Sequence, residues 1–144
     1  MTTDHNPFAP PAAAVGDVIA FGGIDGLAVS ETWKARFRAF HKAGGPKRPN
    51  IKSLSREERM KISSPNILAF FFGPFYYLFK GMWRKGISLL LVCTVVIVIL
   101  QVALEAAGLA SATKALNFIS GVVYGTFANG DYYRKMVLGE NGWW

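Results

Sequence analysis

The residues best able to do chemistry lie in two short stretches, Lys80 to Lys85 and Asp131 to Lys135. The first holds Lys80, Trp83, Arg84 and Lys85, and the second reads Asp131-Tyr132-Tyr133-Arg134-Lys135. Brought together, such cations could hold a phosphate by charge-assisted hydrogen bonds. The plainer expectation is an ion pair that fixes the ends of two segments. Lys80, Trp83, Arg84, Lys85, Asp131, Tyr132 and Tyr133 are therefore the candidate lipid or headgroup contacts. Other chemistry lacks its residues. His5 and His41 stand far apart, without Cys or Asp at metal-ligand spacing, so no metal is expected. Cys93 lies inside the longest apolar run, which leaves neither a Cys-His nor a Ser-His-Asp set. Gly22-Gly23 and Gly26 lack the spacing of a phosphate loop. Glu57-Glu58 reads as a surface pair. No catalytic residue and no cofactor is expected, and the chain reads as a non-enzyme.

The stretch that must position these groups is Asn66 to Gly86, NILAFFFGPFYYLFKGMWRKG. Ile67 to Phe79 includes seven aromatics and is broken by Gly73-Pro74. A helix of that length covers roughly 20 Å, short of the ~30 Å hydrocarbon core. Aromatics beside Lys and Arg suit a membrane–water interface, where each offers an apolar body and a polar tip. The segment 63–79 is thus expected to be a re-entrant or short helix. Ile87 to Leu104 is uncharged for eighteen residues and meets the length criterion for a spanning helix, drawn over 87–105. Glu105 is expected at headgroup level. After a turn near Gly108, residues 113–129 form a second spanning candidate. In it Asn117, Gly121, Gly125 and Asn129 make one i+4 row for close packing, expected against the helix at 87–104 rather than in a dimer.

Upstream, residues 1–28 are rich in Ala, Pro and Gly and read as a disordered tail, with Val18–Phe21 an isolated strand former. The first residues lack a signal-peptide pattern, so internal apolar segments are expected to direct insertion. Residues 29–62 form a basic helical region expected on the cytoplasmic side. Its first helix is expected to begin near Ser30 and to stop at Gly44-Gly45-Pro46. Trp33, Phe37 and Phe40 share one face of it and Lys34, Arg36, Arg38 and Lys42 take the others. That aromatic face could rest on lipid or on the rest of the protein. Ser55 and Glu58 have capping-box spacing, and Ser64-Pro65 reads as a further helix start. Residues 137–144 form a C-terminal tail.

The charge of +7 decides orientation. If 66–79 spans, the positive residues divide eleven against five; if it dips and returns, fifteen share one face and only Lys114 lies opposite. The positive-inside rule prefers the dip, with both termini cytoplasmic. Anionic lipid explains the basic charge beside such apolar segments, and nucleic acid is not expected. The fold class expected is an all-α membrane protein. It has two transmembrane helices, an aromatic re-entrant or interfacial helix, and a basic amphipathic helix before them, within a membrane domain over 63–136.

AFFFGPFYYLFKGMWRKG (69–86), ANGDYYRK (128–135) and WKARFRAFHKAGG (33–45) together resemble the bacterial domain-of-unknown-function family 2628, over roughly residues 31–136. The resemblance implies a multi-pass bacterial inner-membrane protein with two or three hydrophobic segments, and brings no catalytic residues. The function expected is an accessory or scaffold protein with a basic cytoplasmic face that contacts another membrane protein. The alternative is a protein that binds anionic lipid or a small molecule. Neither substrate nor oligomeric state is specified.

Overall fold

The computed structural model describes residues 22–144, which are helical, with no strand among the described residues. The residues expected as tail up to position 21, with Val18–Phe21 and His5, lie outside the described residues. In chain order the helices are α1 (Gly22–Asp25), α2 (Glu31–Lys42), α3 (Arg56–Ser63), α4 (Ile67–Phe72), α5 (Pro74–Phe79), α6 (Trp83–Ala106), α7 (Thr113–Leu116) and α8 (Ile119–Val137). Short 3-10 turns fall at Ile51–Ser53 and Ala110–Ala112. Residues 22–28 belong to this fold and not to a tail, because Ile24 is fully buried in the core and Leu27 packs against it.

Local chemistry explains most boundaries. Ser30 precedes α2 in extended conformation, and Gly44 and Gly45 (φ +84° and +96°) turn the chain after it. The Ser55–Glu58 capping box forms: Ser55 Oγ accepts from the Glu58 amide at 3.3 Å, and Glu58 Oε2 accepts from the Ser55 amide at 3.1 Å. Ser64 does not start the next helix. Its hydroxyl donates back to the Met60 carbonyl at 2.6 Å, ending α3. Asn66 takes the capping role, its Oδ1 accepting from the Ala69 amide at 3.0 Å.

Gly73-Pro74 divides the aromatic stretch into a hairpin of two six-residue helices, α4 and α5. Gly73 adopts φ +47°, and Pro74 supplies the first turn of α5 without needing an amide donor. A Cβ at Gly73 would lie 3.4 Å from the Tyr124 ring. The hairpin therefore packs α4 on α8 and α5 on α6.

α6 begins four residues before the expected span and is the one described helix long and apolar enough to cross a membrane. The second span expected over 113–129 is not confirmed. The helix there is interrupted at Asn117–Phe118, and α8 runs on to Val137. Its last two turns carry Asp131, Arg134 and Lys135, which lower its apolar character.

The core gathers at one end of the molecule, where α2 lies against the C-terminal part of α8. Trp33 meets Tyr132 edge-on at 4.7 Å between ring centroids, Phe37 lies 5.6 Å from Tyr132 and 5.9 Å from Tyr133, and Phe40 lies 5.3 Å from Tyr133. The aromatic face of the amphipathic helix thus rests on protein, and Phe37 and Phe40 are fully enclosed. The far faces of α4, α5 and α6 present Phe71, Phe75, Phe79, Leu91, Val95 and Ile99 outward, Phe79 at 85% exposure.

Candidate functional site

Two polar sets, one centred on Asp131 and one on Asn129, lie in successive parts of α8. The Asp131 set forms because the turn after α5 returns Lys85 to the same end of the molecule. Lys85 Nζ stands 3.3 Å from Asp131 Oδ1, the Tyr77 hydroxyl donates to Oδ2 at 2.9 Å, and Arg134 Nη1 is 3.9 Å from Oδ1. Lys85 and Asp131 are 4% and 8% exposed, so this pair is enclosed rather than offered to lipid. Both carboxylate oxygens are engaged from within the chain. Chemically the arrangement ties α5, α6 and α8 together; a buried carboxylate that lost these partners would be costly.

Two residues earlier, Asn129 Oδ1 accepts from Asn66 Nδ2 at 3.0 Å and from Arg36 Nη1 at 3.3 Å, while Asn129 Nδ2 donates to the Ser64 carbonyl at 2.9 Å. Asn66 Nδ2 also donates to the Tyr76 hydroxyl at 2.9 Å, and the Asn66 amide donates to the Gly125 carbonyl at 2.7 Å. Side chains of α2, α5 and α8 and the Asn66 cap of α4 thus meet in one network. Arg36 further donates through Nε to the Lys61 carbonyl at 2.9 Å, and burial pushes its guanidinium below the usual arginine range.

The candidate contacts separate into two groups. Lys85, Asp131, Tyr132 and Tyr133 are buried and serve internal packing or pairing, which corrects their expected exposure to headgroups. Trp83 and Arg84 are exposed, and Trp83 stacks edge-on with Trp143 at 5.6 Å. Lys80 is partly exposed: its Nζ lies 5.4 Å from the Trp33 ring centroid and 4.6 Å from that of Tyr132. Burial, with Lys135 close by, lowers the Lys80 pKa. Lys135 donates to the Lys80 carbonyl, and Asn141 Nδ2 to that of Gly81 at 3.3 Å, so the residues after α8 fold back onto the turn.

The glycine row also has a partner other than the one expected. Cβ atoms at Gly121 and Gly125 would lie 2.8 Å from the Phe70 carbonyl oxygen and 3.2 Å from Phe70 Cβ. These glycines admit α4, not the helix at 87–104. Asn129 continues the row through its contact with Asn66, whereas Asn117 is exposed. Sequence reasoning missed Arg36, Ser64 and Asn66 as members of the polar network. The signal available was Asn66 itself, a polar residue directly before an aromatic run. Among the described residues no group of three His, Cys, Asp or Glu could hold a metal ion.

The model of the family described as "Protein of unknown function (DUF2628)" matches residues 28–137, from just before α2 to the end of α8. "Uncharacterized protein YigF" from Salmonella typhimurium (strain LT2) is 29% identical over 128 residues, covering 83% of this chain and 94% of that protein. "Uncharacterized protein YigF" from Salmonella typhi matches to the same extent. No solved structure matches the chain. With the family model spanning every helix from α2 to α8, the chain belongs to the DUF2628 family.

Proposed function

We propose that the protein is a small integral protein of the bacterial inner membrane, acting as a non-enzymatic accessory or scaffold for another membrane protein. The observation that carries the membrane reading is the continuous apolar surface of α4, α5 and α6. Soluble monomers rarely expose patches beyond a few hundred Å². Here Ile67, Phe71, Phe72, Phe75, Leu78 and Phe79 all face outward beside the outer side of α6. In this reading α6 crosses, α8 returns, the α4–α5 hairpin dips from one side, and α2 caps that side as its basic cytoplasmic face.

The accessory role is supported by the internal pairing of the buried polar groups. Lys85, Tyr77 and Asp131 complete one another, leaving the exposed basic surface and the apolar flank to meet other molecules. Alkaline carbonate washing of membranes tests insertion. The chain is expected to stay in the pellet, and its release would contradict the reading. Photo-crosslinking from the outer face of α6, after gentle solubilisation, tests the scaffold role. A discrete heterologous adduct is expected; a chain recovered only as a lone monomer would count against it. The second reading, a site for an anionic ligand, is favoured by one particular groove.

A further inference from the structure

A groove of about 300 Å³ opens between α2, the start of α4 and the Lys80 turn. Trp33, Arg36, Tyr76 and Lys80 line one part of it, and Ile67 and Leu68 line another. Arg36 Cζ lies 4.7 Å and Lys80 Nζ 5.4 Å from the centroid of the same Trp33 ring, so a single indole gathers both cations. Neither has a carboxylate. Among the described residues the ion pairs to Asp or Glu use Lys34, Arg38, Lys42, Lys85 and Arg134.

Both cations are partly buried and carry a desolvation cost, and Lys135 also repels Lys80; an anion in the groove would relieve both effects. The donors for such an anion exist. Arg36 uses Nε and one Nη1 proton for Lys61 and Asn129, and a guanidinium has five N–H groups. The Tyr76 hydroxyl accepts from Asn66, which leaves its own proton to donate. The groove continues onto apolar surface, since Ile67 and Leu68 are 67% and 59% exposed.

The geometry points to a binding site for a phosphate group. Arg36 and Lys80 meet the phosphate oxygens, Tyr76 donates a hydrogen bond, and Ile67 and Leu68 receive the apolar part of an amphiphile that carries the phosphate. Planar guanidinium and mobile ammonium together match phosphate chemistry. Only the lipid as source of that phosphate rests on the membrane reading above.

The test uses the full chain in neutral detergent, with bound ligand counted by native mass spectrometry. The probes are phosphatidylglycerol, phosphatidylcholine and inorganic phosphate. One phosphatidylglycerol per chain is expected to be retained in preference to phosphatidylcholine. Lys80→Gln is expected to weaken it roughly tenfold, and Arg36→Gln with Lys80→Gln further. The Lys80 side chain makes ring contacts alone, so Lys80→Gln leaves the hydrogen-bond network in place. Lys47→Gln with Lys52→Gln, which removes exposed charge elsewhere, is expected to have no effect. Inorganic phosphate binding with the same dependence on Lys80, and no retained lipid, would identify a free phosphate as the ligand. Equal retention by all variants, or equal loss in the Lys47/Lys52 control, would overturn the site. Carbonate extraction of the same variants separates this failure from failure of membrane insertion.

Discussion

Asp131 shows how much one enclosed charge can determine. Its oxygens are held by Lys85 and Tyr77, residues 46 and 54 positions away. Lys85→Met is expected to destabilise the fold by about 3–5 kcal/mol, because it leaves a buried carboxylate short of its counter-charge. Lys85→Met combined with Asp131→Leu should recover most of that loss, as measured by thermal unfolding in detergent. A double variant no better than the single one would mean that the pair is not the source of the effect. Glu58 makes a different, pH-dependent contribution at the surface. Lys42 Nζ donates to its Oε1 at 2.6 Å, and this bond, with the Ser55 cap, holds the Glu58 pKa below the usual glutamate value. A carboxylate lowered on folding stabilises above its unfolded pKa, and that contribution fades as pH falls through the folded one. Unfolding followed against pH should therefore show a shallower acid limb for Glu58→Gln than for the natural chain.

At the scale of elements, α8 and the hairpin are fitted through glycine. A Cβ at Gly121 would press on backbone, the Phe70 carbonyl oxygen, which has little freedom to move. Gly121→Ala should therefore cost about 1–3 kcal/mol through overpacking. Gly130→Ala, in the same helix with nothing within 4 Å of the added atom, should instead stabilise by roughly 0.5–1 kcal/mol. Thermal melts of the two variants that moved in the same direction would contradict the packing described. The helices α2 and α3, the Gly73-Pro74 break and the apolar run of α6 were legible in sequence, because capping, backbone restriction and hydropathy act over a few residues. The site was only partly legible. Proximity of Asp131 to Lys85 follows from folding the aromatic stretch back on itself. Phe70 as the partner of Gly121 and Gly125 was not readable, since small-residue spacing names a face but not what lies on it. The length of α8 was also misjudged. Its end was expected where polar residues begin, yet Asp131, Tyr132 and Tyr133 continue the helix because Lys85, Phe37 and Phe40 receive them. The Asn66–Asn129 bond joins residues 63 apart and depends on the hairpin first being in place.

For the whole molecule, the hairpin brings the basic helix α2, the Lys80–Met82 turn and the end of α8 to one end, while the turn that leads to Lys114 follows the other end of the 24-residue α6. That arrangement gives the positive-inside argument its physical form, as the cations outside that turn gather on a single side. The central claim is that this side faces the cytoplasm while α6 and α8 form a crossing and a return. Cysteine accessibility in intact cells tests it most directly. Cys93 is replaced by Ser, and single cysteines are placed at the exposed positions Ser64, Arg84, Ala110 and Gly139, then exposed to an impermeant thiol reagent. Labelling at Ala110 alone is the expected result. Labelling at Arg84 and Gly139 without Ala110 would contradict it, because the aromatic hairpin would then cross the membrane and the basic turn would lie outside.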